Sequence, residues 1–458
     1  MEKDVKLNRT FGFWSTISMV VGTVIGSGVF FKQGKIIAEA GGTTNALIVW
    51  VVSGLLALAG ALTLSEIAAR VPRPGGIYTY IEEPFGKFWA FIAGWMQVIF
   101  YGPALVAAVS YFFASLLLNL IGVKADQVIL GIPLIMWTAV VVLLTVSGIN
   151  LFENSVARRF NIVTTITKII PIIALIIFGL FFGKENALGQ TIDQIASNSH
   201  STGFGLAMVS ALFAYDGWAI ITSMSGEIKQ PEKTLPRALT VGMIFVMLVY
   251  LLTAWGVFQS MPAEQIVKYD TDASYYIVKN AFGEFAGRLL TIGILISVLG
   301  SLNSKVLAFP RMTYEMAVED NFIFAKQLKK IGQKTRTPFN AVLFLAIISI
   351  IMLFVAGAQD LSDWTVVFMY LFYFIAFVGL FILRKKKTGE DSKYRVPLYP
   401  IIPLVAIGGS LFIVGSTILS AVTSAADGNM SQLLGITISA IVIAAGAPIY
   451  LYVNRQKK

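Results

Sequence analysis

The chain has 458 residues, of which 56% are hydrophobic and 13% charged, with a formal net charge of +10, and its mean hydropathy is +0.77. Soluble globular proteins carry about 25% charged residues, so the composition excludes that class and indicates an all-α polytopic membrane protein. There is no cysteine and His200 is the single histidine, which excludes a disulfide framework, a thiolate nucleophile and a cysteine or multi-histidine metal site.

Taken in order, about twelve apolar segments have spanning length: residues 13–39, 46–69, 88–121, 128–147, 156–182, 203–225, 238–259, 275–309, 338–357, 364–383, 401–425 and 433–453. The third and eighth are longer than a bilayer needs, so each is expected to tilt or to begin with an interfacial piece. The charged residues 1–8 precede an apolar run too long for a signal-peptide core, so no cleavable signal is expected. Basic residues gather in alternate loops: Lys3, Lys6 and Arg9; Arg70, Arg73 and Lys87; Arg158 and Arg159; Lys229, Lys233 and Arg237; Arg311 and the run from Lys326 to Arg336; Arg384 to Lys387; and Arg455, Lys457 and Lys458. The remaining loops hold mainly acids, among them Asp126, Glu264, Asp270, Asp272, Asp360 and Asp363. This asymmetry places both termini in the cytoplasm and explains the positive charge without nucleic acid.

The first span carries Gly22, Gly26, Ser27 and Gly28 near its centre. Glycine costs about 1 kcal/mol in a helix interior relative to Ala, so the backbone is expected to leave the helix there. At membrane depth such backbone is tolerated only where it is buried in protein or lines a wet cavity. The pair Gly22 and Gly26 also suits close helix packing. The sixth span contains Phe213-Ala214-Tyr215-Asp216-Gly217-Trp218, and Asp-Gly favours a turn. Gly26 and Asp216 both lie about 20 Å inside their spans at 1.5 Å per residue. Interruptions at corresponding positions of two halves point to an inverted-repeat transporter with a midplane site.

Val-Val-Gly-Thr-Val-Ile-Gly-Ser-Gly-Val-Phe in span one, Ser-Glu66-Ile-Ala at the end of span two, Pro72-Arg73-Pro74-Gly75-Gly76-Ile-Tyr78 after it, and Phe-Ala-Tyr-Asp-Gly-Trp in span six resemble the amino acid/polyamine/organocation transporters. Within them the chain is most similar to the L-amino acid transporter branch and its bacterial serine/threonine and alanine-serine-cysteine exchangers. The resemblance covers nearly the whole chain. It implies the LeuT-like fold, with helices 1 and 6 unwound at mid-membrane. Residues 1–12 form the cytoplasmic N-terminus, 13–183 the first inverted repeat, 203–384 the second, 398–453 two accessory helices and 454–458 the cytoplasmic C-terminus. The activity it implies is exchange of small neutral L-amino acids such as serine, threonine and alanine across the cell membrane by alternating access, without cofactor.

Backbone chemistry gives this site its expected roles. Past the break in span one, free N–H groups at the positive end of a helix dipole suit an α-carboxylate, which assigns it to Gly26, Ser27, Gly28 and Val29. Carbonyls near Val24, Ile25, Phe213, Ala214 and Asp216 suit an α-ammonium, with Gly217 supplying the turn and Phe213 and Tyr215 as pocket walls. The resemblance implies that Phe213 is a gate over the substrate. Lys168 lies about 15 Å beyond Arg158 along its helix, too deep to snorkel easily. Its ammonium is expected to meet span-one carbonyls and the hydroxyls of Ser297 and Ser301, and the resemblance implies that it replaces a sodium ion, hence sodium-independent transport. Tyr250 matches a family tyrosine near a second lost sodium site.

Asp216 is expected to satisfy N–H groups of the broken helix, although proton carriage and ammonium binding remain open. Glu66 is expected to pair with Arg70 at i,i+4, Arg384 to Lys387 to anchor topology, and His200 to be inert. No catalytic motif marks an enzyme and no filter repeat marks a channel. The alternative is proton-coupled neutral amino acid uptake on the same fold. Residues 121–128 lack the cysteine through which eukaryotic relatives join a heavy chain, so no disulfide-linked partner is expected.

Overall fold

The computed structural model describes residues 11–456 apart from 74, 153–163, 165–166, 184–186, 192–202, 224, 226–227, 333–336 and 393. Several residues singled out above, including Lys3, Lys6, Arg9, Arg158, Arg159, His200 and Arg336, lie outside the described residues. Among the described residues nine helices are long and apolar enough to cross a membrane, and three shorter apolar helices, Ile169–Phe182, Gly203–Ala214 and Phe339–Val355, stand where spans five, six and nine are expected.

The first span divides into α1 (Phe13–Val24), α2 (Gly28–Phe31) and α3 (Gln33–Ala40). Ile25 closes α1 with extended backbone, φ −67° and ψ 108°, and the helix resumes at Gly28. α4 (Thr43–Arg70) returns as one continuous helix, and α5 (Ile77–Phe85) turns the chain into the third span. That span is α6 (Lys87–Trp95), a π-helical segment from Met96 to Tyr101, and α7 (Gly102–Ile121). Pro103 has no N–H to give to the Ile99 carbonyl, and Gly102 instead bonds Gln97, five residues back.

α8 (Leu134–Phe152) follows a short hairpin pairing β1 (Val128–Ile129) with β2 (Ile132–Pro133), so the fourth span starts later than the sequence suggests. α9 (Ile169–Phe182) precedes the divided sixth span, α10 (Gly203–Ala214) and α11 (Ile220–Ser223), joined by the turn at 215–219. α12 (Pro231–Ser260) packs along α4, α1 and α9. Two short helices, α13 (Ala263–Tyr269) and α14 (Ala273–Phe282), precede α15 (Glu284–Val318), which runs nine residues past the expected end of the eighth span. α16 (Ala325–Leu328), α17 (Phe339–Val355) and α18 (Ala358–Lys385) follow, then α19 (Ile401–Ala426), α20 (Ser431–Ala444) and α21 (Gly446–Gln456). The last three carry many exposed apolar side chains, including Leu404, Phe412, Leu419, Ile438 and Ile441, as a lipid-facing flank requires.

Contacts between helix ends sort them into two faces. On the face where α1 begins, here the near face, Lys229 donates its N–H to the Phe11 carbonyl and Tyr78 its hydroxyl to Glu319. On the far face the Thr43 hydroxyl meets the Ala187 carbonyl and Asn119 meets Asp272.

Glu66, fully buried at the near end of α4, joins the two halves of the chain. It accepts from Arg70 Nε at 2.8 Å, from Arg384 Nη2 at 2.6 Å and from the Val396 N–H at 2.7 Å. The Glu66–Arg70 pair is present as expected, and the Arg384 guanidinium adds a second, unforeseen partner. Replacing Glu66 with Ala strands two guanidinium groups, and breaking a buried pair this way costs about 3–5 kcal/mol. Glu66→Ala is therefore expected to lower the thermal unfolding midpoint in detergent, followed by tryptophan fluorescence, and an unchanged midpoint would contradict this role.

Candidate functional site

The two helix breaks touch each other. Gly28 opens α2 directly on the end of α10, where an added Cβ would overlap the Ala214 backbone. Gly217 has φ +110°, and a Cβ there would lie 2.8 Å from the Thr23 carbonyl. Conformation and contact both demand glycine at that turn.

These breaks leave main-chain groups without helical partners. Among the described residues, the N–H groups of Ser27, Gly28 and Val29 make no backbone hydrogen bond. The Gly26 N–H bonds the Tyr250 hydroxyl oxygen. That hydroxyl also lies 3.1 Å from the Val24 carbonyl and 3.0 Å from the Ala214 carbonyl, so one side chain of α12 ties both breaks together. A single hydroxyl proton serves one carbonyl at a time.

Lys168, immediately before α9, is fully buried. Its Nζ donates to the Gly22 carbonyl at 2.5 Å and the Ile25 carbonyl at 2.9 Å, the end of α1 where the dipole is negative. Ser297 and Ser301 do not join it: Ser297 Oγ is buried without a partner among the described residues, and Ser301 Oγ accepts from Lys305 at 3.3 Å. The expected hydroxyl ligands are thus corrected: the ammonium sits on the span-one carbonyls, and Ser301, although packed against Gly26, gives its oxygen to Lys305 instead. The Ile25 carbonyl, expected to be open to an ammonium, is engaged by Lys168.

A small cavity adjoins the breaks. Its walls are Val24, Gly26, Ser27 and Gly28 of span one, Leu105 and Val109 of α7, Phe213, Ala214 and Asp216 of span six, and Ser301 and Lys305 of α15. Val29 and Gly217 stand behind this wall. Tyr215, expected to line the pocket, points away: its hydroxyl donates to the Trp50 carbonyl at 3.1 Å and its ring packs on Trp50 and Tyr250.

Asp216 accepts the Tyr101 hydroxyl at 2.7 Å and the Gly217 N–H. The Tyr101 bond is new to the reading of Asp216. Tyr101 ends the π-helical segment and also lines a second small cavity toward the near face, with Gly76, Ala219 and Phe309. The Tyr101–Asp216 bond therefore stands between the two cavities.

On the far side, Phe213 forms part of the cavity wall. Its ring meets Phe112 edge-on at 6.2 Å, and the Lys32 ammonium lies 5.1 Å from the ring centroid. Lys32 is buried and bonds Asp363 at 2.9 Å, Ser362 at 2.8 Å and Gln359 at 2.6 Å on α18. Lys35 pairs with Asp363 as well, and Ser210 of α10 bonds Glu39 at 2.9 Å. Asp360 and Asp363 were expected in a loop, but α18 starts at Ala358 and carries both into its first turns.

Sequence reasoning missed Lys305, Tyr101 and the Lys32–Asp363 pair. Lys305 had a usable signal, a lysine inside an apolar helix, which ending the span at 309 concealed. Nothing local marked Tyr101 or Lys32.

The profile of a family described as amino acid permease matches residues 11–444. The serine/threonine exchanger SteT of Bacillus subtilis is 37% identical over 456 residues, covering 99% of each chain. The human cystine/glutamate transporter is 28% identical across 95% of this chain and 85% of its own length. The mouse b(0,+)-type amino acid transporter 1 is 27% identical across 91% and 84%.

Tyr250→Phe keeps the ring and removes the bridge between the breaks. Leaving buried carbonyls short of a donor costs about 1–3 kcal/mol, so the unfolding midpoint of the purified protein is expected to fall. A midpoint equal to the parent's would mean that the hydroxyl does not join the breaks.

Proposed function

The chain belongs to the amino acid permease family, and on that basis we propose that it is a sodium-independent exchanger of small neutral L-amino acids working by alternating access. It is a membrane transporter rather than an enzyme, as its named relatives are transporters and exchangers. The serine and threonine named for SteT, the relative matched across 99% of both chains, support small polar substrates here.

The observation that carries the reading is the Lys168 ammonium on the carbonyls of Gly22 and Ile25. A cation is needed where α1 ends in buried carbonyls, and here it is covalently attached. No imported ion is then required to build the site, and a fixed charge supplies no ion gradient to drive uptake. Net movement of substrate in one direction is balanced by substrate returning in the other.

In this reading the substrate carboxylate takes the N–H groups of Ser27, Gly28 and Val29. Its ammonium takes the carbonyls at the breaks, of which Val24 and Ala214 each keep a second lone pair beside Tyr250. Phe213 is the far-side gate, and spans one and six work as the unwound helices of two inverted repeats, residues 13–183 and 203–384, with 398–453 accessory. The basic loops make the near face cytoplasmic in the cell membrane, and the chain works without a disulfide-linked heavy chain.

Proteoliposomes test this directly. Labelled L-threonine, L-serine and L-alanine are expected to enter only when unlabelled amino acid is inside, irrespective of sodium or proton gradients. Uptake into empty vesicles driven by an inward proton gradient would overturn exchange in favour of proton-coupled uptake. Lys168→Ala is expected to reduce exchange about tenfold or more, since losing even one buried charged hydrogen bond is worth that factor, and full activity in that variant would remove the surrogate-ion role.

A further inference from the structure

The cavity holds two charged groups whose chemistry the backbone site does not use. Asp216 enters from the span-six turn and Lys305 from α15, and both line it. Each feels the charge of the other, but among the described residues they do not close into an ion pair.

Lys305 is only 6% exposed, and among the described residues the one hydrogen bond of its ammonium runs to the neutral Ser301 hydroxyl at 3.3 Å. An ammonium has three donors, so two remain for whatever fills the cavity. Asp216 accepts from Tyr101 and Gly217, and a carboxylate has about four lone-pair sites. A buried cation and a partly buried anion thus line one cavity, each with hydrogen-bonding capacity to spare among the described residues.

The spacing indicates which part of a substrate reaches them. Gly26 packs on Ser301, where an added Cβ would lie 2.5 Å from Oγ. Lys305 is four residues further along α15, about 6 Å at 1.5 Å per residue. The short side chain of an amino acid whose carboxylate and ammonium sit at the helix breaks comes within reach of this wall.

We infer that Asp216 and Lys305 form a charge-balanced side-chain subsite that selects short, uncharged side chains able both to accept and to donate a hydrogen bond. This inference rests on the neutral amino acid reading above. A hydroxyl or carboxamide accepts from the Lys305 ammonium and donates to the Asp216 carboxylate at once, whereas an alkyl side chain satisfies neither. An acidic side chain meets an attractive Lys305 and a repulsive Asp216, and a basic side chain meets the reverse. The pair is therefore neutral toward neutral ligands and adverse to both charged classes, which is specificity by unpaired charge as well as by fit.

The inference predicts a reciprocal switch. Asp216→Asn leaves Lys305 uncompensated and should favour acidic side chains. Lys305→Met leaves Asp216 uncompensated and should favour short basic ones.

The test is competition against labelled L-threonine in exchange-loaded proteoliposomes by L-aspartate and L-2,4-diaminobutyrate. Both should compete weakly with the parent protein. In Asp216→Asn the potency of aspartate relative to threonine should rise about tenfold, with no gain for diaminobutyrate, and in Lys305→Met the reverse should hold. Lys305→Arg, which retains the charge, should not switch.

If a variant binds but does not transport, the same ratios are read from ligand-induced thermal shifts on the purified protein. Should either variant not fold, Asp216→Glu and Lys305→Arg supply the comparison, and both must keep the parent's ranking. A switch in neither variant, or one in the same direction in both, overturns the subsite. A parent protein that takes no neutral amino acid instead overturns the reading beneath it.

Discussion

The ammonium of Lys168 on the carbonyls of Gly22 and Ile25 is the contact on which the rest of the centre depends. A helix that stops inside a protein exposes its last carbonyls, and a lysine buried beside it lacks water. Either is costly alone. Placed together, the carbonyls solvate the ammonium and the ammonium caps the helix. This lets α1 end at Val24 and the chain resume at Gly28 with its amides unpaired. The cation that permits the break is part of the chain, and the sodium independence proposed for the transporter follows from that.

Tyr250 carries the arrangement from one break to the other, since its hydroxyl touches carbonyls of both Val24 and Ala214. Movement of the span-one break without the span-six break would strand one of these carbonyls. Phe213 at the far edge and Tyr101–Asp216 at the near edge then bound the cavity. Lys32 and its partners on α18 hold the far boundary, while Glu66 with Arg70 and Arg384 binds α4 to α18 at the near face. Charged clusters at both faces thus enclose a cavity lined largely by main chain, Asp216 and Lys305.

The centre was legible in sequence where one residue type violates its surroundings. Glycines in an apolar span announce the first break, Asp-Gly announces the second, and a lysine too deep to snorkel announces Lys168. Each follows from local cost alone. The partners of these residues were less legible, because they depend on how helices rotate against one another. Ser297 and Ser301 lie on α15 near the expected place, yet Ser297 faces no partner and Ser301 faces Lys305. Tyr215 is adjacent to the break, but the turn sends it toward Trp50. Tyr101 becomes a cavity residue through the π-helical register ahead of Pro103. Helix limits mattered as well: extending α15 to Val318 buries Lys305, and starting α18 at Ala358 turns Asp363 from a loop residue into the partner of Lys32.

The most direct measurement is equilibrium binding of labelled L-threonine to the purified protein, in sodium-free choline buffer and in sodium buffer at equal ionic strength. With Lys168 as the resident cation, the affinity should be the same in both. Binding that appears only with sodium would mean that the site is completed by an ion after all, and would contradict the account at its centre.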